Sequence, residues 1–302
     1  MRRLCLLAFV LTLFFASCGQ SYEKKQRLSR EERARLAKID SLALKVAVMP
    51  TLDCLPIYIA KDENLFDNEK VDVSLKIFNA QMDCDTAIVG YTANGVVSDL
   101  VRTVRIIRKG TPLVYLSSTN GAWQLISNRT ARVKELSQLG DKMVAMTRYS
   151  ATDFLTDKAL DGVKTKAKVF RIQVNDVRVR LDMLLNNEMD AEWLMEPQAT
   201  MARMRHNPVI ADSKKMGYNL GVIAFREDCY ADRRRREQIR SFSRAYNMAC
   251  DSINKNGVRH YEEVLKKYYH LDDKTIKALP SLRYSHIAKP AAKDVEAARK
   301  WN

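Results

Sequence analysis

The chain has 302 residues, with 51 Lys and Arg against 36 Asp and Glu, and a formal charge of +15. Hydrophobic residues make up 46% and charged residues 29%, a balance that excludes an intrinsically disordered chain. Beyond the N-terminus no apolar run is long enough to span a bilayer, and the basic excess of an exported chain points to anionic lipid or an anionic ligand rather than to nucleic acid.

The first residues carry the export signal. Arg2 and Arg3 precede an apolar run from Leu4 to Phe15, and Ala16, Ser17, Cys18 and Gly19 follow. A basic start, a short apolar stretch and small residues make a secretory signal over 1–17. The sequence FASC resembles a bacterial lipobox, which implies cleavage before Cys18 and acylation of its thiol by palmitate or a similar chain. Residues 18–43 are polar and charged and read as a tether with a helical turn or two. The expected location is the cell envelope, lipid-anchored, on the periplasmic face of a membrane.

From Leu44 onward a short apolar strand, a polar junction and a helix recur. LKVAVM reads as a buried strand and LPIYIAKDENLF as the helix after it. VDVSLKIF alternates apolar and polar residues, a strand with one wet face. A helix over about 86–92, a short strand at Val96 and Val97, a helix from near Asp99 and the strands PLVYLSS and WQLIS come next. The pattern restarts with KMVAM, TRYSATDFLTDKAL, KVFRIQV, the amphipathic RVRLDMLLNNEMD, AEWLM and EPQATMARMR, and YNLGVIAF is the last clear strand. Strands alternating with helices predict mainly parallel sheets covered on both faces. After Phe225 only helices are expected, with Ile239, Phe242, Tyr246, Ala249 and Ile253 at helical spacing, as are Tyr261, Val264, Leu265 and Tyr268. These aromatics are assigned to core packing.

Cys5 leaves with the signal and Cys18 carries lipid, so four cysteines remain. In an oxidising envelope Cys54 with Cys84 and Cys229 with Cys250 are the economical pairs, and free buried thiols are the alternative. His206, His260, His270 and His286 fall outside the expected cleft loops, and no spacing supports a metal or a nucleophilic pair.

The stretches VAVMPTLDCLPIYIAKDENLF, AIVGYTANGVVSDL, VKELSQLGDKMVAM, MDAEWLMEPQATMA and LPSLRYSHIAKPAAKDVEAARKW, in this order, resemble the periplasmic substrate-binding component of ABC importers. The resemblance is to the branch of sulfonate, taurine, nitrate and thiamine-precursor binding proteins. It implies an α/β, two-lobed type II periplasmic-binding-protein fold, with lobe 1 over 44–128 plus 221–302 and lobe 2 over 129–220. A monomer would grip a small organic metabolite between the lobes, such as a thiamine-type pyrimidine precursor or a sulfonate, and pass it to a permease and its ATPase, with no cofactor and no catalysis. A ligand sensor or surface-binding lipoprotein on the same fold is the competing reading, and a pyrimidine-precursor synthase a more distant one.

Ligands of open α/β sheets bind beyond the carboxyl ends of the strands. The expected lobe-1 wall is therefore Thr51, Leu52, Asp53, Cys54, Asn79, Met82, Asp83, Ser98, Asp99, Thr119, Asn120 and Gly121. Tyr149, Ser150, Thr152, Trp193 and Glu196 are expected from lobe 2. Hydroxyls at helix starts suit anionic oxygens, the carboxylates suit an amine or a protonated ring nitrogen, and Tyr149 and Trp193 suit a flat ligand.

Overall fold

The computed structural model describes residues 30–35 and 41–301. The signal peptide and Cys18 lie outside the described residues. Residues 1–43 and Leu44–Asn302 are two separate units, and in the first of them residues 30–35 form a short exposed helix.

Among the described residues, ten strands build two five-stranded sheets with the orders β2-β1-β3-β10-β4 and β7-β6-β8-β5-β9. The first holds β1 (Leu44–Val48), β2 (Val73–Ile77), β3 (Gly95–Asp99), β4 (Leu113–Ser118) and β10 (Gly221–Arg226). The second holds β5 (Gln124–Ser127), β6 (Met143–Met146), β7 (Phe170–Gln173), β8 (Ala191–Leu194) and β9 (Val209–Asp212). In each, the second strand of the order, β1 or β6, pairs parallel with both neighbours. The strand that enters from the other sheet, β10 or β5, pairs antiparallel on both sides. Four strands of each sheet thus share a direction and one is reversed. The sequence reading carried lobe 1 to residue 128, but β5 pairs only within the second sheet, so the first crossing falls over 119–123. One buried strand looks much like another in sequence, and only pairing tells which sheet receives it.

The helices that position the site are α1 (Leu55–Asp62), α2 (Gln81–Val89), α3 (Leu100–Arg108), α4 (Ala151–Leu160), α5 (Val177–Leu185), α6 (Gln198–Met204), α7 (Arg233–Asn256) and α8 (Ala292–Trp301). Local chemistry sets their starts. Pro56 stands in the first turn of α1, where its missing N–H costs nothing. Asp99 caps α3 by accepting from the Arg102 N–H at 2.9 Å, and Asp176 caps α5 through the N–H groups of Arg178 and Val179. The 24-residue α7 ends at Gly257, whose φ of +82° a side chain would resist.

Ile239, Phe242, Tyr246, Ala249 and Ile253 on α7 are buried with Leu44, Val46, Tyr58 and Phe66 in the main core of the first lobe, together with Tyr261, Val264 and Leu265. Tyr268 packs against that core and stacks on Tyr58 at 4.4 Å. The second core gathers Phe154, Trp193, Leu125 and Val144 and reaches Leu100, Val101 and Val104 on α3. Helix α8 lies on α3, and its Trp301 donates to Asp157 Oδ2 at 2.6 Å and meets Phe154 edge to face. The C-terminal helix therefore fastens both lobes.

All four cysteines of this unit are buried free thiols, so the expected pairs Cys54–Cys84 and Cys229–Cys250 are not made. Each sits in packing of its own: Cys54, Cys229 and Cys250 within the main core, Cys84 under β1 and β3. Burial pushes the Cys229 and Cys250 thiols up, to about 11 and about 12.

Candidate functional site

The carboxyl ends of the strands from both sheets face one another across a narrow cleft. Backbone groups close it at two places. The Leu52 N–H donates to the Glu196 carbonyl at 2.8 Å and the Val177 N–H to the Asn79 carbonyl at 3.0 Å. Ala80 and Asp176 form a β-bridge beside the second contact, and Gln198 Nε2 donates to the Pro50 carbonyl at 3.0 Å. On the rim the Arg105 guanidinium lies 3.7 Å over the Tyr149 ring.

Inside is a cavity of about 50 Å³ lined from both lobes, room for a few water-sized groups. Of the residues singled out in the sequence, Thr51, Asp53, Ser98 and Asp99 line it from lobe 1, and Ser150, Thr152 and Trp193 from lobe 2. Met49, Gln81, Val97, Trp123, Thr147, Arg180, Met195 and Gln198 line it as well and were not foreseen. Trp123 is the last residue of the first crossing, and Gln198 follows the Glu-Pro pair that the sequence did mark. Arg180 gave no signal, because an arginine on an amphipathic helix normally reads as a solvated face.

The other expected residues lie elsewhere. Cys54 is fully buried, because the 3-10 turn Leu52–Cys54 that leads into α1 sends its side chain to the core rather than the cleft. Leu52, Asn120, Gly121 and Glu196 border a separate cavity of about 30 Å³ that Asp53 and Met195 share. Glu196 forms an ion pair with Arg203 at 2.6 Å and accepts from Thr200, so its carboxylate is engaged within its own lobe; its peptide to Pro197 is cis. Thr119 reaches the site through Asp53, to which it donates at 3.3 Å. Asn79 contributes its carbonyl to lobe closure, and Asp83 is exposed on the first turn of α2. Met82 and Tyr149 belong to an outer groove of about 680 Å³ with Arg102, Arg105 and Arg148. Tyr149 has φ +56°, and its ring lies under Arg105 on the rim rather than over the inner cavity.

The electrostatics of the inner cavity come from two acids and one base. Asp53 and Asp99 are 7% and 4% exposed. Burial raises both carboxyls above their ordinary range, against neighbouring Thr51 and Thr119 for Asp53 and against Arg102 for Asp99, which reaches about 6. The N–H of Ala151, in the first turn of α4, also favours the charged form of Asp99, so a lobe-1 carboxylate answers a lobe-2 helix start. Arg180 uses all three nitrogens on protein oxygens: Nε on Val174 O at 3.2 Å, Nη1 on Trp193 O at 2.9 Å, and Nη2 on Thr147 Oγ1 at 2.8 Å. The Ser150 and Thr152 hydroxyls bond one another and Thr147. Two acceptors here have no hydrogen-bond partner, Asp53 Oδ1 and Gln198 Oε1. Among the described residues no histidine or cysteine lines the cavity, and no group of three or more His, Cys, Asp or Glu side chains is placed to hold a metal ion. No helix among them is long and apolar enough to cross a membrane.

No family model matches the sequence, and no curated protein matches it. Solved structures do match. The alkanesulfonate-binding protein SsuA of Xanthomonas axonopodis pv. citri, bound to MOPS, superposes with a TM-score of 0.72 at 12% identity, over 86% of this chain and 90% of that one. The periplasmic aliphatic sulphonate-binding protein SsuA of Escherichia coli gives 0.67 at 14% identity, over 86% and 89%. The periplasmic nitrate-binding protein NrtA of Synechocystis PCC 6803 gives 0.67 at 14%, over 77% and 68%. This chain has the periplasmic-binding-protein fold. Identities this low carry the fold alone, and the two-lobed α/β architecture expected from sequence is the one found.

Proposed function

We propose that this protein captures a small organic solute by closing its two lobes and delivers it to an ABC import permease and its ATPase, held at the cell envelope by lipid on Cys18. One observation carries the reading: a buried cavity with both polar and apolar walls is lined jointly by both lobes, at the carboxyl ends of their strands, in a chain of the periplasmic-binding-protein fold. Similar structures described as sulfonate-, nitrate- and ABC-import ligand-binding proteins support the same reading.

The cavity suits holding better than reacting. Arg180 ties together Val174 just after β7, Trp193 in β8 and the Thr147 junction with its hydrogen bonds and so fixes the lobe-2 wall. Trp123, Trp193, Met49 and Met195 supply apolar surface, and the acids fix polarity.

Calorimetry of the purified protein against fractionated metabolite pools, combined with uptake assays after deletion of this chain alone, tests the proposal. One-to-one binding and lost uptake are expected. Binding without any effect on uptake would replace transport with the sensor reading.

A further inference from the structure

We propose that the inner cavity selects a small organic cation, a primary ammonium or protonated amine, over an oxyanion. The inference rests on the capture reading above and names the chemical class of the captured solute.

Three observations support it. Asp53 Oδ1 and Gln198 Oε1 are buried acceptors with no hydrogen-bond partner in the protein, one from each lobe, on residues 7% and 5% exposed. A buried acceptor left unpaired is costly, and a ligand that brings N–H donors relieves both at once. Gln198 Oε1 can only accept, and Asp53 Oδ1 only accepts while its carboxyl is ionised, so neither then serves an oxyanion. Gln198 is held in this sense by its own amide group, since Nε2 is engaged with the Pro50 carbonyl.

The charged side chain and the helix start that would hold an anion are already engaged. Arg180, the one cationic side chain lining the cavity among the described residues, has every nitrogen on a protein oxygen. The start of α4 is a natural anion site, but its N–H groups are taken: Thr152 N–H donates to Ser150 Oγ, Asp153 N–H to the Ser150 carbonyl, and Ala151 N–H faces Asp99. The protein's own carboxylate stands where an anionic ligand group would go. The lining holds two carboxyl groups, Asp53 and Asp99, against one cationic side chain, Arg180, a balance that favours a cation over an oxyanion.

Trp123 and Trp193 add aromatic walls to this cavity, and aromatic faces favour ammonium groups. A cation entering beside Asp53 would also offset the cost of its buried charge, so the same contact serves affinity and the stability of the closed state.

The test is thermal-shift and calorimetric titration of the full-length protein with matched probes. Methylammonium, ethanolamine and putrescine form one arm, and methanesulfonate, isethionate and succinate the other. At least one amine is expected to bind one-to-one, with Asp53→Asn weakening it tenfold or more. Gln198→Met, which removes the second acceptor, is expected to weaken it severalfold, and circular dichroism checks that both variants fold. Binding confined to the anionic arm overturns the cation assignment and leaves capture standing. Binding in neither arm also overturns it, and titration with metabolite pools then decides separately whether the cleft captures any solute. Unchanged amine affinity in both folded variants overturns it too.

Discussion

Thr119 Oγ1 donates to Asp53 Oδ2 at 3.3 Å, tying the first crossing segment to the turn after β1, while Oδ1 of the same carboxylate has no partner. The space for this contact comes from a glycine. A Cβ on Gly221, the first residue of β10 where the second crossing over 213–220 ends, would stand 2.2 Å from Thr119 Oγ1 and 3.3 Å from the Gly121 Cα. The point where the two crossings touch therefore also sets the rotamer that holds Asp53.

Gly221→Ala is expected to push Thr119 away, with overpacking costing about 1–3 kcal/mol. Thr119→Val keeps the shape, strips Asp53 of its hydrogen bond, and is expected to cost about 1–3 kcal/mol for the exposed acceptor. Chemical denaturation measures both. Equal stability of wild type and Gly221→Ala would contradict the close approach.

Asp99 predicts a pH dependence. Burial lifts its pKa from 3.8 to about 6 in the folded protein. A raised folded-state pKa means that the stability tied to this group is full below about pH 4 and is lost as pH rises through about 6, roughly 3 kcal/mol in all. Asn keeps the helix cap without titrating. The melting temperature of wild type minus that of Asp99→Asn is therefore expected to be larger at pH 4 than at pH 7. A difference independent of pH would contradict an ionising, buried Asp99.

Arg105 and Tyr149 form the rim contact between lobes. A partly exposed cation–π contact contributes about 0.5–1 kcal/mol, so Arg105→Ala is expected to raise the open population about two- to fivefold. Small-angle scattering of the ligand-free variant should show a larger radius of gyration than wild type. An unchanged scattering curve would mean that the backbone contacts at Leu52 and Val177 hold the lobes alone.

Cys54, Cys84, Cys229 and Cys250 are buried free thiols. Without reductant, all four are expected to resist alkylation in the native protein and to react together once denatured, as mass spectrometry of the peptides would record. Any pair protected after denaturation would restore a disulfide.

Much of the fold was legible because period and punctuation agree with it: LKVAV, VSLKI and GVIAF are strands, and the α7 aromatics are core. The polar junctions Thr51–Asp53, Ser98–Asp99 and Ser150–Thr152 were legible as cleft for the same reason, since polar groups interrupt buried runs where strands end. What escaped depends on the third dimension. Arg180 sits one helix away from the oxygens it bonds, and its helix pattern resembles a wet face. Cys54 and Tyr149 share a sequence neighbourhood with cleft residues, but a 3-10 turn and a positive φ respectively turn them away. Ser150 and Thr152 do stand at a helix start, yet their hydroxyls are spent on each other.

Native mass spectrometry of the protein isolated from its own cell envelope tests solute capture most directly. One small molecule per chain is expected, bound in wild type, absent from Asp53→Asn, and released on unfolding. Protein that emerges with an empty cleft and still takes up no compound when returned to a cell extract would contradict the account.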